Sequence, residues 1–398
     1  MDVIGTIGAL QNIWRIDYVD ARGMLLYLRE SWLMFAEPKL SESSEKMRLK
    51  LVYITLYPEK YPRVKKIATT LEGKDVNFQA LTPRIIIKLG NRKVERLISA
   101  LITYTSFLLQ IFFSEANIYW VANAPEIFVL PLILKKKEYI LDYRSAWPLV
   151  IKFEFGKGML SHIAGYLTYT ALKHAKAITL TSSTLLKDVE KFGKKVFVIP
   201  NYPEKNYFKP DVSYDDFRKL HGVKKSDKVI LFIGKLAKIE GADILPSIIK
   251  ELSKKGKKVV LWIVGDGALR SVAEELERKM PENVKFFGWH PYREIPNFIN
   301  AADVCIVPRH KGPVSYSWNE ECVFKISEYM FFRKPIVACG VAPSKEYLLV
   351  KRQDMVKGII EALEGNVPRP TRRTWEDECE EKVLEVIEFV KSSGNEKN

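Results

Sequence analysis

Two glutamates, Glu320 and Glu328, stand eight residues apart in the run W-N-E-E-C-V-F-K-I-S-E-Y-M-F-F-R-K-P-I-V-A-C, residues 318–339. If a helix begins near Glu321, a rise of ~1.5 Å per residue sets the two carboxylates ~12 Å apart along its axis. At ~100° per residue they differ by ~80° in azimuth and share a side. Carboxylates so placed can accept hydrogen bonds from the hydroxyls at both ends of one ligand, a sugar at one end and a ribose at the other. The amides of the helix start, Glu321, Cys322 and Val323, can hold a diphosphate between them. That is the chemistry of a nucleotide sugar. Solvated carboxylates on a helix surface show the same spacing, so the surroundings of the pair have to decide.

Other chemistries find less support. The four cysteines, Cys305, Cys322, Cys339 and Cys379, form no C-x-x-C. Neither a disulfide framework nor a zinc site is expected, and a reducing cytoplasm is the default. Five histidines without an H-E-x-x-H give metal-assisted hydrolysis no footing, and no metal or cofactor is expected. Gly265-Asp266-Gly267 begins like a dinucleotide fingerprint, but position 270 is Arg where the third glycine belongs. Lys and Arg number 63 against 48 Asp and Glu, a net charge of +15. Such a surplus points to an anionic partner: nucleotide phosphates, nucleic acid or a lipid surface. No nucleic-acid module is recognisable, so nucleic acid is not expected.

The elements that must position these residues read as a repeating pattern. With 398 residues, 47% hydrophobic and 28% charged, the chain is neither disordered, collagen-like nor polytopic in a membrane. Residues 1–46 show no strand-turn-helix unit and read as an N-terminal extension, with Met47 as an alternative start. Apolar runs at 51–56, 117–121, 139–141, 177–180 and 196–199 alternate with helix-period stretches such as 64–71 and 161–174. A second series has strands at 229–233, 259–264, 284–287, 304–307 and 335–338, with helices at 242–254, 268–279, 294–300, 323–332 and 354–363. The stiff turn Pro200-Asn201-Tyr202-Pro203 separates them. The expected fold class is α/β: two facing Rossmann-like, doubly wound parallel-sheet domains, 47–205 and 206–370, with a cleft at the carboxyl ends of their strands. Residues 371–398 add a C-terminal helix expected to pack back toward the first domain. Residues 97–114 carry no charge over 18 positions. They read as a buried helix or as one lying on a membrane, with Arg92, Lys93 and Arg96 beside it for anionic headgroups.

The motifs of the second series, in order, carry a resemblance. They are Gly234-Lys235-Leu236 after the first strand, Gly241, Val264-Gly265-Asp266-Gly267, Phe287-Gly288-Trp289, Ala302-Asp303-Val304, and Lys325-Ile-Ser-Glu328-Tyr-Met ending at Lys334-Pro335. Residues 48–390 resemble the retaining glycosyltransferases of family 4, the glycosyl transferases group 1, which have the GT-B fold. The resemblance implies transfer of a hexose from a UDP- or GDP-sugar to an acceptor hydroxyl, with a glycan or lipid-linked saccharide as acceptor. It implies that Glu328 binds the ribose, that Glu320 lies by the transferred sugar, and that Lys235 contacts the donor phosphates. Gly234, Gly265 and Lys325 fall on the same donor side. A cytoplasmic enzyme follows, with a peripheral position at the inner membrane face left open.

The chain also departs from that pattern. Where the family carries a second cation before the glycine at 241, this chain has Glu240, with Lys238 two residues earlier as a substitute. The glycines after Glu320 are replaced by Glu321-Cys322-Val323, and the glycine-rich loop after the first strand by Tyr57-Pro-Glu-Lys60-Tyr61-Pro-Arg63. Lys60 and Arg63 are then candidates for an acceptor or phosphate role. Asp142 and Arg144, in D-Y-R-S-A-W-P, are expected to face the cleft as strand-end residues, Asp142 as a catalytic candidate and Arg144 on the acceptor side. These departures keep two alternatives in view: a GT-B protein that binds a nucleotide sugar or a partner without efficient transfer, and a UDP-sugar epimerase or hydrolase.

Overall fold

The runs expected to be buried strands are apolar at consecutive positions, as a strand covered on both faces requires. In this computed structural model, which describes residues 49–56, 62–86, 93–123, 125–155, 158–206 and 208–395, they form two six-stranded sheets. The expectations on residues 1–46, on Lys60 and on Arg92 lie outside the described residues. The first sheet comprises β1 (Leu49–Ile54), β2 (Val76–Leu81), β3 (Ile118–Ala122), β4 (Tyr139–Tyr143), β5 (Ala177–Leu180) and β6 (Lys195–Val198), in the order β2-β1-β3-β4-β5-β6. The second comprises β7 (Lys228–Ile233), β8 (Val259–Val264), β9 (Val284–Gly288), β10 (Val304–Pro308), β11 (Ile336–Cys339) and β12 (Leu348–Leu349), in the order β12-β11-β10-β7-β8-β9. Both sheets are parallel, as expected.

Among the described residues, helices of seven residues or more connect the strands or, for the last two, follow them. They are α1 (Pro62–Leu71), α2 (Lys93–Phe113), α3 (Trp147–Phe155), α4 (Met159–His174), α5 (Tyr214–Leu220), α6 (Leu245–Lys254), α7 (Arg270–Lys279), α8 (Ile295–Ala301), α9 (Phe324–Phe331), α10 (Met355–Leu363) and α11 (Glu380–Asn395). The chain divides into two compact units, one running to Thr179 with Val189–Val196, the other containing Leu180–Asp188 and everything from Phe197.

In the second unit the two-residue period of a strand sorts each run onto two faces. Val229, Leu231 and Ile233 of β7, with Val260, Trp262 and Val264 of β8, enter one core with Phe217, Phe298, Ile326 and Tyr329 of α5, α8 and α9. Ile230, Phe232, Leu261 and Ile263 enter the other, under Leu245, Ile249 and Leu252 of α6 and Met355 and Ile359 of α10. The central strands β7 and β8 are thus sealed on both sides, and their carboxyl ends are left to build a site.

Two differences from the sequence reading have physical reasons. β2 was not anticipated because it is an edge strand with Asn77, Gln79 and Ala80 turned outward or half covered, so it lacks a continuous apolar run. The uncharged stretch 97–114 forms α2, but it is only partly buried. Ser99, Thr103, Phe107 and Ile111, four residues apart, face inward. Leu101, Leu109 and Phe113 are exposed at 64%, 54% and 72%. Among the described residues no helix is long and apolar enough to cross a membrane.

Candidate functional site

The donor-side candidates gather at the carboxyl ends of β7, β8 and β10 in the second unit. β7 ends in Gly234, whose φ of +141° is a backbone state that side chains rarely adopt. Gly265, at the end of β8, comes so close that a Cβ on it would sit 1.9 Å from the Gly234 carbonyl oxygen. Lys235 follows on the exposed side of that junction. α9 is pinned to the same strand end because the Tyr329 hydroxyl accepts the Ile233 N–H at 3.1 Å. The first turn of α9 therefore brings Lys325 over Gly234, where a Cβ would lie 2.6 Å from the lysine Nζ.

Glu240, which interrupts the family pattern in sequence, occupies the centre of a charge cluster. Its Oε2 accepts Lys325 Nζ at 2.9 Å, and its Oε1 lies 3.0 Å from Arg309 Nη2. Burial alone would raise the Glu240 carboxyl, but Lys325 and Arg309 overcome it and hold the group below the usual carboxylate range. Arg309 also lies flat on Trp318, 3.8 Å from the ring centroid. Lys238 is exposed on the same short turn. Arg309 was not singled out from the sequence. It directly follows β10, the kind of strand-end position where such sheets place ligand contacts, and that was the available signal.

The glutamate pair needs a correction. The helix does not begin near Glu321 but at Phe324, with Val323 as its N-cap. Asn319 is the cause. Its carbonyl oxygen accepts the Cys322 N–H at 3.3 Å and the Val323 N–H at 2.9 Å, and its side chain accepts the Glu321 N–H at 3.2 Å. The amides expected to hold a diphosphate at 321–323 are therefore already engaged. The Glu321 carboxylate is engaged as well, taking hydrogen bonds from Ser182 Oγ and from the amide and hydroxyl of Ser183 at 2.7–2.9 Å. Cys322 donates its thiol to the Ser317 carbonyl, and Val323 is part of the core.

Glu320 and Glu328 remain. Glu328 is buried on α9, one turn beyond Lys325, and its charge is felt at that lysine. Glu320 sits in the loop ahead of the helix. Ser344 donates to its Oε1 at 2.9 Å, while Oε2 is buried with no hydrogen-bond partner. Burial, with Glu321 and Glu346 nearby, pushes this carboxyl above its usual range. A buried acceptor left open is suited to a ligand hydroxyl.

In the first unit Asp142 is expected to face the cleft as a strand-end residue, and Arg63, in the loop after the first strand, to serve an acceptor or phosphate role. Both are buried, at 0% and 1% exposure of their side chains. Asp142 Oδ1 takes Arg63 Nη2 at 3.0 Å and Thr179 Oγ1 at 2.8 Å; Oδ2 takes Tyr53 Oη at 2.7 Å, Arg63 Nε at 3.1 Å and Arg144 Nε at 2.8 Å. Burial would raise this carboxyl, but the two guanidiniums outweigh it and keep it far below its ordinary value. Arg144, 18% exposed, also donates to the Tyr53 hydroxyl. The reason Asp142 is hidden is long-range: Arg63 comes from the first turn of α1 and covers the end of β4. One further carboxyl here escaped the sequence reading. Glu126, just beyond β3, is buried beside Thr168 and Asn123, and burial raises it to about 7 against their lowering influence. Among the described residues no cluster of His, Cys, Asp and Glu is arranged to hold a metal ion.

Two parallel sheets wound on both faces, with the ligand-type residues at their carboxyl ends, define the GT-B fold class. Solved structures agree on the fold. Sucrose-phosphate synthase from Thermosynechococcus elongatus superposes with a TM-score of 0.62 at 17% identity, over 87% of this chain and 98% of its own. Anabaena HepE, solved with UDP, superposes with a TM-score of 0.58 at 15% identity, over 87% of this chain and 100% of its own. Residues 227–365 match the family model described as glycosyl transferases group 1. Two curated relatives come from Streptomyces kanamyceticus. One, an alpha-D-kanosaminyltransferase, is 28% identical over 115 residues, 28% of each chain. The other, a 2-deoxystreptamine glucosyltransferase, is 27% identical over 180 residues, 43% of this chain and 44% of its own. A 41.2 kDa protein of unassigned role from the cps region of Klebsiella pneumoniae is 29% identical over 145 residues, 34% of this chain and 37% of its own. The chain thus spans less than half the length of the curated relatives it matches.

Proposed function

We propose that the protein transfers a hexose from a UDP- or GDP-linked donor to an acceptor hydroxyl, with retention at the anomeric carbon. The observation that carries this reading is the convergence of Lys325, Arg309 and Lys235 around Glu240 at the carboxyl end of β7, one helical turn from the buried Glu328. Breaking the bond from the sugar C1 to the donor oxygen leaves negative charge on the departing diphosphate. Cations already fixed where that charge develops lower the barrier without reorganising. Glu328 takes the ribose hydroxyls, and the open Oε2 of Glu320 takes a hydroxyl of the transferred sugar. In a front-face displacement the departing phosphate oxygen itself takes the acceptor's proton, so the scheme asks no other base of the protein. HepE, which shares the fold, binds UDP, and two relatives are named as glycosyltransferases, which supports a nucleotide-sugar donor.

A melting-temperature panel of UDP, GDP and ADP tests the donor. A shift with UDP or GDP supports the reading, and a shift with ADP alone, or with none of the three, removes it. With the donor known, Glu328→Ala abolishes turnover, and NMR of the first-formed product shows the donor's anomeric configuration.

For the acceptor we place a glycan or lipid-linked saccharide at the inner face of a membrane. The support is the exposed apolar set Leu101, Leu109 and Phe113 on α2, and Met159, Ile163 and Tyr166 on α4, on a chain of net charge +15. Co-flotation with phosphatidylglycerol vesicles, lost on Leu101→Ser with Phe113→Ser, checks it. Equal recovery of both proteins in the soluble fraction overturns it.

A further inference from the structure

The geometry points to Glu240 as a positioning residue that holds Lys325 and Arg309 as the two cations presented to the donor's diphosphate, replacing a cation at position 240 itself. The inference rests on the glycosyltransferase reading and assigns the charge arrangement of that site. Position 240 carries the wrong sign for direct contact with phosphate, yet its carboxylate is not aimed at a ligand. One oxygen is committed to Lys325 at 2.9 Å and the other to Arg309 at 3.0 Å.

Local geometry makes the arrangement specific. Glu240 ends a short 3₁₀ turn, Lys238–Glu240, closed by Gly241 at φ +83°. A Cβ at 241 would lie 1.7 Å from the Pro308 carbonyl oxygen, so the turn rests directly on the end of β10, and the next residue of that strand end is Arg309. Lys325 arrives from the other side, across Gly234, with its Nζ 4.9 Å from the centre of the Phe232 ring. Arg309 is stacked on Trp318, and its Nε–H is buried with no partner. That donor is an opening that a phosphate oxygen would fill.

The charges also match. Lys235 acts on Glu240 along with Lys325 and Arg309. Lys325, Arg309 and Lys235 against Glu240 and the nearby Glu328 leave a net positive charge to meet the diphosphate diester of a nucleotide sugar, which is an anion. A free lysine and a free arginine each carry about 2 kcal/mol of rotamer entropy that binding would have to freeze. A carboxylate that fixes both beforehand removes most of that cost.

The alternative is a plain counterion, and the two roles predict opposite signs. Neutralising a mere counterion makes the pocket more positive and tightens an anion. Neutralising a positioning residue releases both cations and weakens it. The experiment uses the full chain, with the nucleoside diphosphate that binds wild type as titrant and its nucleoside monophosphate as control. Glu240→Gln is expected to weaken the diphosphate about tenfold, the size of one charge-assisted hydrogen bond, with the monophosphate moved less than twofold. In turnover, kcat falls while the acceptor KM holds. Diphosphate affinity that is unchanged or improved overturns the proposal. Arg309→Gln is a second arm that leaves Glu240 and Lys325 in place. About a tenfold loss of diphosphate affinity is expected; a change under twofold overturns the assignment of Arg309 even if Glu240→Gln does not fold. Failure of wild type to bind any nucleoside diphosphate would instead remove the glycosyltransferase reading on which all of this rests.

Discussion

Each unit of this protein places one carboxylate between two cations at the carboxyl end of a parallel sheet, and the two clusters are finished differently. In the first, Asp142 is wholly buried and accepts five hydrogen bonds from Tyr53, Arg63, Arg144 and Thr179. In the second, Glu240 spends its two oxygens on two cations, and one of those cations, Arg309, keeps a buried N–H without a partner. A closed cluster fixes structure, because a polar group with every valence met has nothing left to offer a ligand. An open one costs stability and is available for binding. The same charge pattern therefore reads as scaffold in one unit and as site in the other.

The largest test of that contrast is Asp142→Ala. Removing one member of a buried ion cluster strands the others, and the expected loss is about 3–5 kcal/mol. In melting experiments that is a fall on the order of 10 °C for the first unit. Glu240→Ala, by contrast, is expected to cost less than Asp142→Ala, because the Glu240, Lys325 and Arg309 side chains keep 16%, 9% and 12% of their surface where Asp142 keeps none. Equal losses at the two positions would erase the distinction between scaffold and site.

Glu126 gives a second test, by pH. Its carboxyl is raised by burial to about 7 in the folded protein, above its unfolded value. A raised carboxyl favours folding below the unfolded value, and that contribution is lost as pH climbs through about 7. Glu126→Gln, neutral at every pH, should therefore be more stable than wild type at pH 8, by ~3 kcal/mol at most. The two should converge below about pH 5. Parallel stability curves would show that Glu126 titrates alike in the folded and unfolded states, and that burial does not raise it.

Much of this was legible in the chain. The second sheet follows from runs such as Val259–Val264, where six consecutive apolar residues leave a two-faced buried strand as the economical reading. The positions proposed for the donor side, Gly234, Lys235, Gly265, Lys325 and Glu328, come from ordered local motifs. What escaped depends on contacts between distant positions. The start of α9 moved because Asn319 closes a turn that no helix-start rule contains. Asp142 is at a strand end, where side chains commonly face a ligand, but Arg63 covers it from 79 residues away. Arg309 acquires meaning only through Glu240, brought to it by the close approach of Gly241 to Pro308. A residue that departs from a family pattern can thus have its partner far away in the chain, visible only once the chain is folded.

The smallest change that should separate the clusters is one methyl group. Gly234→Ala puts a Cβ at φ +141°, a backbone state costing of order 1–3 kcal/mol for a side chain. The same Cβ would fall 2.6 Å from Lys325 Nζ. The atom it meets is the end of a flexible side chain, so the lysine can yield, and the fold survives at roughly the backbone cost alone. Yielding, however, draws Lys325 off Glu240, and the cation pair loses one member while the Asp142 cluster is untouched. Diphosphate affinity is expected to drop several-fold, with the melting of the first unit unchanged. If affinity holds while only stability falls, Lys325 does not need its seat over Gly234, and the open cluster is built around Arg309 and Lys235 alone.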